Sequence, residues 1–131
     1  VKANISYQLV FSDFFSWLLN RTDIAFTVRE MVIKYEIILM ASIAEQLKAV
    51  FSNDSFMKGI NKLCKDGKIS SKTDTELSWL WETRKGIHLY KLDTTEHNKY
   101  SDFDFDRAVI AVRSFMDELN VSCNKVPYKV S

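Results

Sequence analysis

The sequence predicts an all-α fold, a bundle of about five helices, and three observations carry that prediction. Apolar residues recur at helical spacing in five segments, and no segment alternates as a half-buried strand would. Three Gly and one Pro among 131 residues are too few for the turns of a many-stranded sheet. A hydrophobic share of 47% and an aromatic share of 13% supply the core of one compact domain, and no repeat or linker divides the chain. Residues 1–131 therefore read as a single domain with a loose C-terminal tail from about residue 121.

The first helix is expected over about Ile5 to Asn20. At 100° per residue Tyr7, Val10, Phe11, Phe14, Phe15, Leu18 and Leu19 share one side, an arc of roughly 180° where a simple surface helix needs only about 100°. Such a helix is expected to pack between two neighbours; the alternative is an apolar edge left for a partner chain. The second helix is expected from about Asp23 to Phe51, with Thr22 or Asp23 as its N-cap. Ile24, Val28, Met31, Val32, Tyr35, Ile38, Leu39, Ile43 and Val50 hold its stripe, while Ile33, Ile37, Met40 and Ala44 make the other side apolar too. A segment apolar all round is a central one. Glu45 lies at the edge of this stripe near Ser42 and Gln46. Burying its carboxylate is costly without a partner, so a cation, a hydrogen-bond donor or a wet cleft is expected beside it.

Asn53, Asp54 and Ser55 interrupt the chain before a short third helix with Phe56, Ile60 and Leu63 inward. Lys65 to Lys68 ends it, Gly67 suiting the left-handed residue that follows many helices. The fourth helix is expected to start at Thr73, where Thr73-x-x-Glu76 has the form of a capping box. After a polar loop, Ser101-x-x-Asp104 opens the fifth, which carries Phe105, Val109, Val112, Phe115, Met116 and Leu119. The run SDFDFD lacks the glycine and distal glutamate of a calcium loop, and reads as a cap followed by two anchoring phenylalanines.

A net charge of +1 shows no basic excess of the kind broad nucleic-acid binders carry, which argues against tight non-specific binding but leaves room for a local site. Cys64 and Cys123 form no metal-ligand spacing with His88 or His97, which indicates reduced thiols, a cytoplasmic location and neither metal nor cofactor. The most apolar run, YEIILMASIA, is too short to span a bilayer. No phosphate-cradling glycine loop, nucleophile elbow or zinc motif is present, which argues against ATPase, α/β-hydrolase and metalloprotease chemistry. His97, beside Glu96, reads as a solvated loop residue, and Trp79 as a partly exposed packing residue.

The unusual stretch is LWETRKGIHLY, Leu80 to Tyr90. Continued as a helix, it sets Arg84 and His88 one turn apart in the middle of an arc of about 120° that also holds Leu77, Leu80, Trp81 and Ile87. Two polar groups in an apolar stripe each need partners. One account is structural: Arg84 snorkels or pairs with Glu45, and His88 is a hydrogen-bonded core histidine. The other is functional: the guanidinium offers a fork to a phosphate, and the imidazole moves a proton near neutral pH. Gly86 between them costs about 1 kcal/mol in a helix, which fits a close approach or a bend.

The segments ASIAEQLKAV, FMKGINKLCKDGKIS and ELSWLWETRKGIHLY together resemble the HEPN superfamily of small helical bundles, over roughly Ile24 to Leu119. Its hallmark is an Arg, a polar residue, a few variable positions and a His; Arg84, Lys85 and His88 match in type and order. Three residues separate Arg84 from His88, a shorter spacing than is usual in the family, and Lys85 stands where Asn is frequent. The resemblance implies a metal-independent endoribonuclease of toxin or defence type, with Arg84 and His88 catalytic, Lys85 binding substrate and Glu45 supporting. It also implies a homodimer that joins two motifs in one composite site. The alternative it leaves is a non-catalytic RNA-binding, regulatory or protein-interaction domain, such as the partner of a nucleotidyltransferase-type antitoxin.

Overall fold

The computed structural model describes residues 2–21, 26–87 and 100–121, and these residues form five α-helices with no strand among them. They are α1 (Lys2–Leu19), α2 (Phe26–Phe51), α3 (Phe56–Lys65), α4 (Ser71–Lys85) and α5 (Asp102–Glu118). The helix N-caps expected at Thr22 and Asp23, and the tail beyond Val121, lie outside the described residues.

The second helix is central, as its apolar circumference requires. α1, α3, α4 and α5 all pack on it, and α4 also packs on α3 and α5. Ile33, Ile37, Met40, Ile43, Ala44 and Leu47 are buried there against Leu77 and Leu80 of α4 and Phe105, Val112 and Phe115 of α5. The core is centred further round the helix than the predicted stripe. Val32 and Ile43 of that stripe are buried, but Val28, Tyr35 and Val50 are exposed, and the apolar side carrying Ile33, Ile37, Met40 and Ala44 lies in the core. With both sides apolar, periodicity could not choose between them; the side with more helices packed on it became the interior.

Helix ends follow from local chemistry. After α3, Gly67 takes φ 76°, and the Lys68 N–H reaches the Leu63 carbonyl at 3.0 Å. Asn120, with φ 56°, closes α5 in the same way, the Val121 N–H meeting the Met116 carbonyl at 3.0 Å. α4 starts one turn earlier than expected: the Ser70 hydroxyl accepts from the Thr73 N–H at 3.2 Å. Thr73 is therefore inside the helix, and Glu76 is not a capping partner. Glu76 instead accepts from Arg107 Nε at 2.6 Å, and the Arg107 guanidinium lies 4.1 Å from the Trp79 ring centre, which joins α5 to α4. Trp79 is partly buried, as the sequence suggested. At the start of α5 the Asp104 carboxylate accepts from the Ser101 N–H at 2.9 Å. Of the two phenylalanines expected to anchor this end, Phe105 is buried but Phe103 is 72% exposed, because adjacent odd positions cannot share a helix face.

Two further ties hold the bundle. Glu118, at the end of α5, accepts from the Ser70 N–H at 2.9 Å and from the Thr73 hydroxyl. Desolvation would raise its pKa, but the hydrogen bonds from Thr73 and Ser70 outweigh that and hold the carboxyl below its ordinary value. Lys48 is buried at the end of α2, its ammonium donating to the carbonyls of Ser52 and Asp54. Its stem lies where α3 has Gly59: a Cβ there would fall 2.4 Å from Lys48 Cδ and 2.9 Å from Cγ. Among the described residues, no helix is long and apolar enough to cross a membrane.

Gly59→Ala should therefore destabilise the fold by about 1–3 kcal/mol, despite alanine's better helix propensity, because the Lys48 stem is fixed by its head group. Urea unfolding checks this; a midpoint equal to or above that of the parent would show that the stem moves aside freely.

Candidate functional site

The motif segment divides at the end of α4. The helix stops at Lys85 with Gly86 as its C-cap, and the last turn tightens through Gly86 N–H to Thr83 O (3.1 Å) and Ile87 N–H to Arg84 O (3.2 Å). Gly86 has φ −82°, and a Cβ on it would meet little but the Thr83 carbonyl oxygen at 3.6 Å. Neither a close approach nor a left-handed turn demands glycine here. Because the helix ends at Lys85, the projection that carried Ile87 and His88 onto the stripe no longer applies. His88, like His97, lies outside the described residues.

Arg84 is exposed rather than set in the middle of a buried stripe. Leu77 and Leu80 are fully buried, and Trp81, partly buried, stacks on Phe56 with ring centres 4.3 Å apart and planes at 19°. The Arg84 guanidinium lies 5.9 Å from the Trp81 ring centre. Arg84 makes no ion pair with Glu45 or with any other carboxylate among the described residues. Lys85 is exposed and pairs with exposed Glu82 at 3.3 Å, a contact that salt screens. Both cations sit in the last turn of α4, where the helix dipole favours positive charge. A nearby open hollow of about 350 Å³ is lined by Trp79, Glu82, Thr83, Gly86, Tyr100 and Asp104. Its carboxylates repel phosphate, so an anion would meet Arg84 on the surface instead.

Glu45 is exposed, so the expected need for a partner there does not arise. The buried carboxylate of α2 is Glu36, fully enclosed, with Oε1 accepting from the Ser12 hydroxyl at 2.7 Å and Oε2 without a partner. Burial raises its pKa to about 7; the Ser12 hydrogen bond opposes that rise and the nearby negative charge of Asp13 adds to it. Its burial was legible: Val32, Ile33, Met40 and Ile43, at i−4, i−3, i+4 and i+7, are all apolar. Val32 and Ile43 belong to the expected stripe, and Glu36 lies between that stripe and the apolar side of Ile33 and Met40.

α1 is inverted relative to its expected packing. Among the described helices it packs substantially on α2 alone, and not between two neighbours. Its inner side buries Ile5, Leu9 and Leu19 but also Ser6 and Ser12. Gln8 donates to Ser42 Oγ at 2.9 Å and accepts from Gln46 at 2.7 Å. Its outer side leaves Tyr7 58%, Phe11 59%, Phe14 51% and Trp17 54% exposed. The exposed rings touch one another: Phe14 stacks on Trp17 (6.0 Å, 22°) and reaches Phe15 (6.2 Å), which reaches Tyr35 of α2 (6.5 Å).

A carboxyl whose folded-state pKa exceeds its unfolded value keeps its proton longer when folded. Stability therefore declines as pH rises from about 4.5 to about 7, and the full penalty, of order 3 kcal/mol, applies above that window. Glu36→Gln keeps an acceptor for Ser12 and carries no charge. It should leave the melting temperature nearly unchanged at pH 5 and raise it by roughly 5–10 °C at pH 8. An equal shift at both pH values would show that Glu36 is not the titrating group.

Comparisons of the chain with protein-family models, with curated proteins and with solved structures return no match.

Proposed function

We propose that the chain is a HEPN-like helical domain that acts on RNA through Arg84 and His88, with Lys85 beside them. The observation that supports this reading is Arg84: its guanidinium stands outside the core, at the end of α4, with no carboxylate neutralising it among the described residues. Such a fork binds a phosphodiester bidentately and offsets the charge that builds on its oxygens during transfer. An imidazole four positions on in sequence supplies the proton chemistry. As base it takes the proton of the ribose 2′-hydroxyl, whose oxygen attacks phosphorus; as acid it gives a proton to the departing 5′-oxygen. The products are a 2′,3′-cyclic phosphate and a 5′-hydroxyl, and no metal enters the balance. One imidazole cannot be base and acid in the same instant, so a second copy supplying the other His88 completes the site.

The test uses structured and single-stranded RNA in excess EDTA. The parent protein should release cyclic-phosphate ends, His88→Ala should lose about 10²–10⁴ of the rate, and Arg84→Ala should lose a comparable factor. No cleavage by the parent, or the same cleavage by His88→Ala, removes the nuclease reading.

A second reading is a non-catalytic interaction domain, including the partner of a nucleotidyltransferase-type antitoxin. The exposed aromatic side of α1 favours it, since contiguous apolar surface of this kind marks a protein contact more often than a catalytic centre. RNA affinity unaffected by Arg84→Ala, in a protein without nuclease activity, would select this reading.

A further inference from the structure

We infer that the outer side of α1 is the docking surface for the same helix of a second copy of this chain, in an antiparallel pair about a twofold axis near Phe14. The inference does not rest on the RNA reading, because it uses no residue of α4.

Three observations identify the occupant. The first is area. Tyr7, Phe11, Phe14, Trp17 and Tyr35 are each about half exposed. With rings of 150–250 Å² apiece, they leave roughly 500 Å² of connected apolar surface per copy. Doubled across a twofold axis this is roughly 1,000 Å², the threshold for a specific interface. The second is spacing. The exposed Tyr7, Phe11 and Phe14 fall at i, i+4 and i+7, the spacing of the seam that one helix offers to another helix. The third is charge. Between Ala3 and Asn20 the one charged residue is Asp13, so the surface does not call for a strongly charged partner such as a nucleic acid or a basic peptide.

An antiparallel copy centred on Phe14 satisfies this surface with itself. It sets Phe14 against Phe14, Phe11 against Trp17 of the second copy, and Tyr7 against Arg21 of the second copy. The last pairing is a cation over a ring, an arrangement Arg21 already shows within one chain, 5.0 Å from the Trp17 ring centre. Isologous pairing of this kind is the commonest route to a homodimer.

Light scattering and sedimentation equilibrium of the parent chain should show a dimer at roughly 10–100 μM. Phe14→Glu places two carboxylates at the axis and should weaken association by more than about 100-fold, with helical circular dichroism unchanged. Ile110→Glu, at an exposed apolar position on α5, should leave the dimer intact. Phe14→Cys should give a disulfide-linked dimer on mild oxidation, since the two sulfurs would face each other across the axis. A parent monomer at about 100 μM would overturn the proposal, and so would a dimer indifferent to Phe14→Glu or a Phe14→Cys variant that forms no cross-link. A monomer whose tryptophan emission shifts only on phosphatidylcholine vesicles would assign the surface to lipid and equally overturn it. A dimer that leaves RNA intact would keep this inference and remove the nuclease reading.

Discussion

Everything in this bundle is arranged around one constraint: most of the circumference of α2 is covered by other helices, and a strip holding Val28, Tyr35, Glu45 and Val50 faces water. With four helices packed on it, a polar group in its middle has to be satisfied from within the protein. Lys48 and Glu36 meet this demand in opposite ways. Lys48 keeps its charge by lying along Gly59 and turning its ammonium to two carbonyls beyond the helix end. Glu36, in mid-helix, has no such exit. One hydroxyl cannot replace the hydration of a carboxylate, so the group retains its proton up to about pH 7. The difference between them is reach. A lysine three residues from the end of α2 can leave the core with its head, whereas a glutamate about four turns from that end cannot.

The number, type and order of the helices were legible because they depend on local signals: apolar periodicity, Ser101 and Asp104 at one end, Gly67 at another. Faces were less legible, for a physical reason. A hydrophobic arc in a single sequence says which residues avoid water, not which neighbour arrives to cover them. On α2 two apolar sides competed, and the side with Ile33 and Ile37 became the core while Tyr35 stayed at the surface. On α1 Tyr7, Phe11 and Phe14 of the expected arc face outward, while Phe15, Leu18 and Leu19 of the same arc meet the core. At the motif, Arg84 and Lys85 were placed on the correct helix, but Gly86 ends that helix before His88, so continuing the projection overstated how deeply Arg84 sits.

The position of Arg84 changes what the motif can do. A cation sealed in a core would be committed to an internal partner, and removing it would chiefly cost stability. At the last turn of a helix, beside a Trp81–Phe56 stack, its contribution to folding is limited to a dipole term and a weak ring contact. The donors therefore remain available to a ligand. The same exposure means that the surrounding cavity does not select the ligand; selection has to come from charge and from whatever second element approaches the end of α4.

The inversion of α1 and the polar seam beneath it are two aspects of one arrangement. A helix that packs on a single neighbour has one dry side, and α1 spends part of that side on Ser6, Ser12 and Gln8 instead of on its aromatic residues. Hydrophobic contact alone would favour a rotation of α1 by roughly half a turn, which would bury the phenylalanines and expose the serines. Hydrogen bonds from Ser12 to Glu36 and among Gln8, Ser42 and Gln46 oppose that rotation, because it would take from buried Glu36 the bond at its Oε1 and from half-buried Gln46 its contact with Gln8. Polar pairs of this sort fix register more effectively than they add stability. They hold Phe11, Phe14 and Trp17 outward, in a position where only contact with another apolar surface can remove them from water.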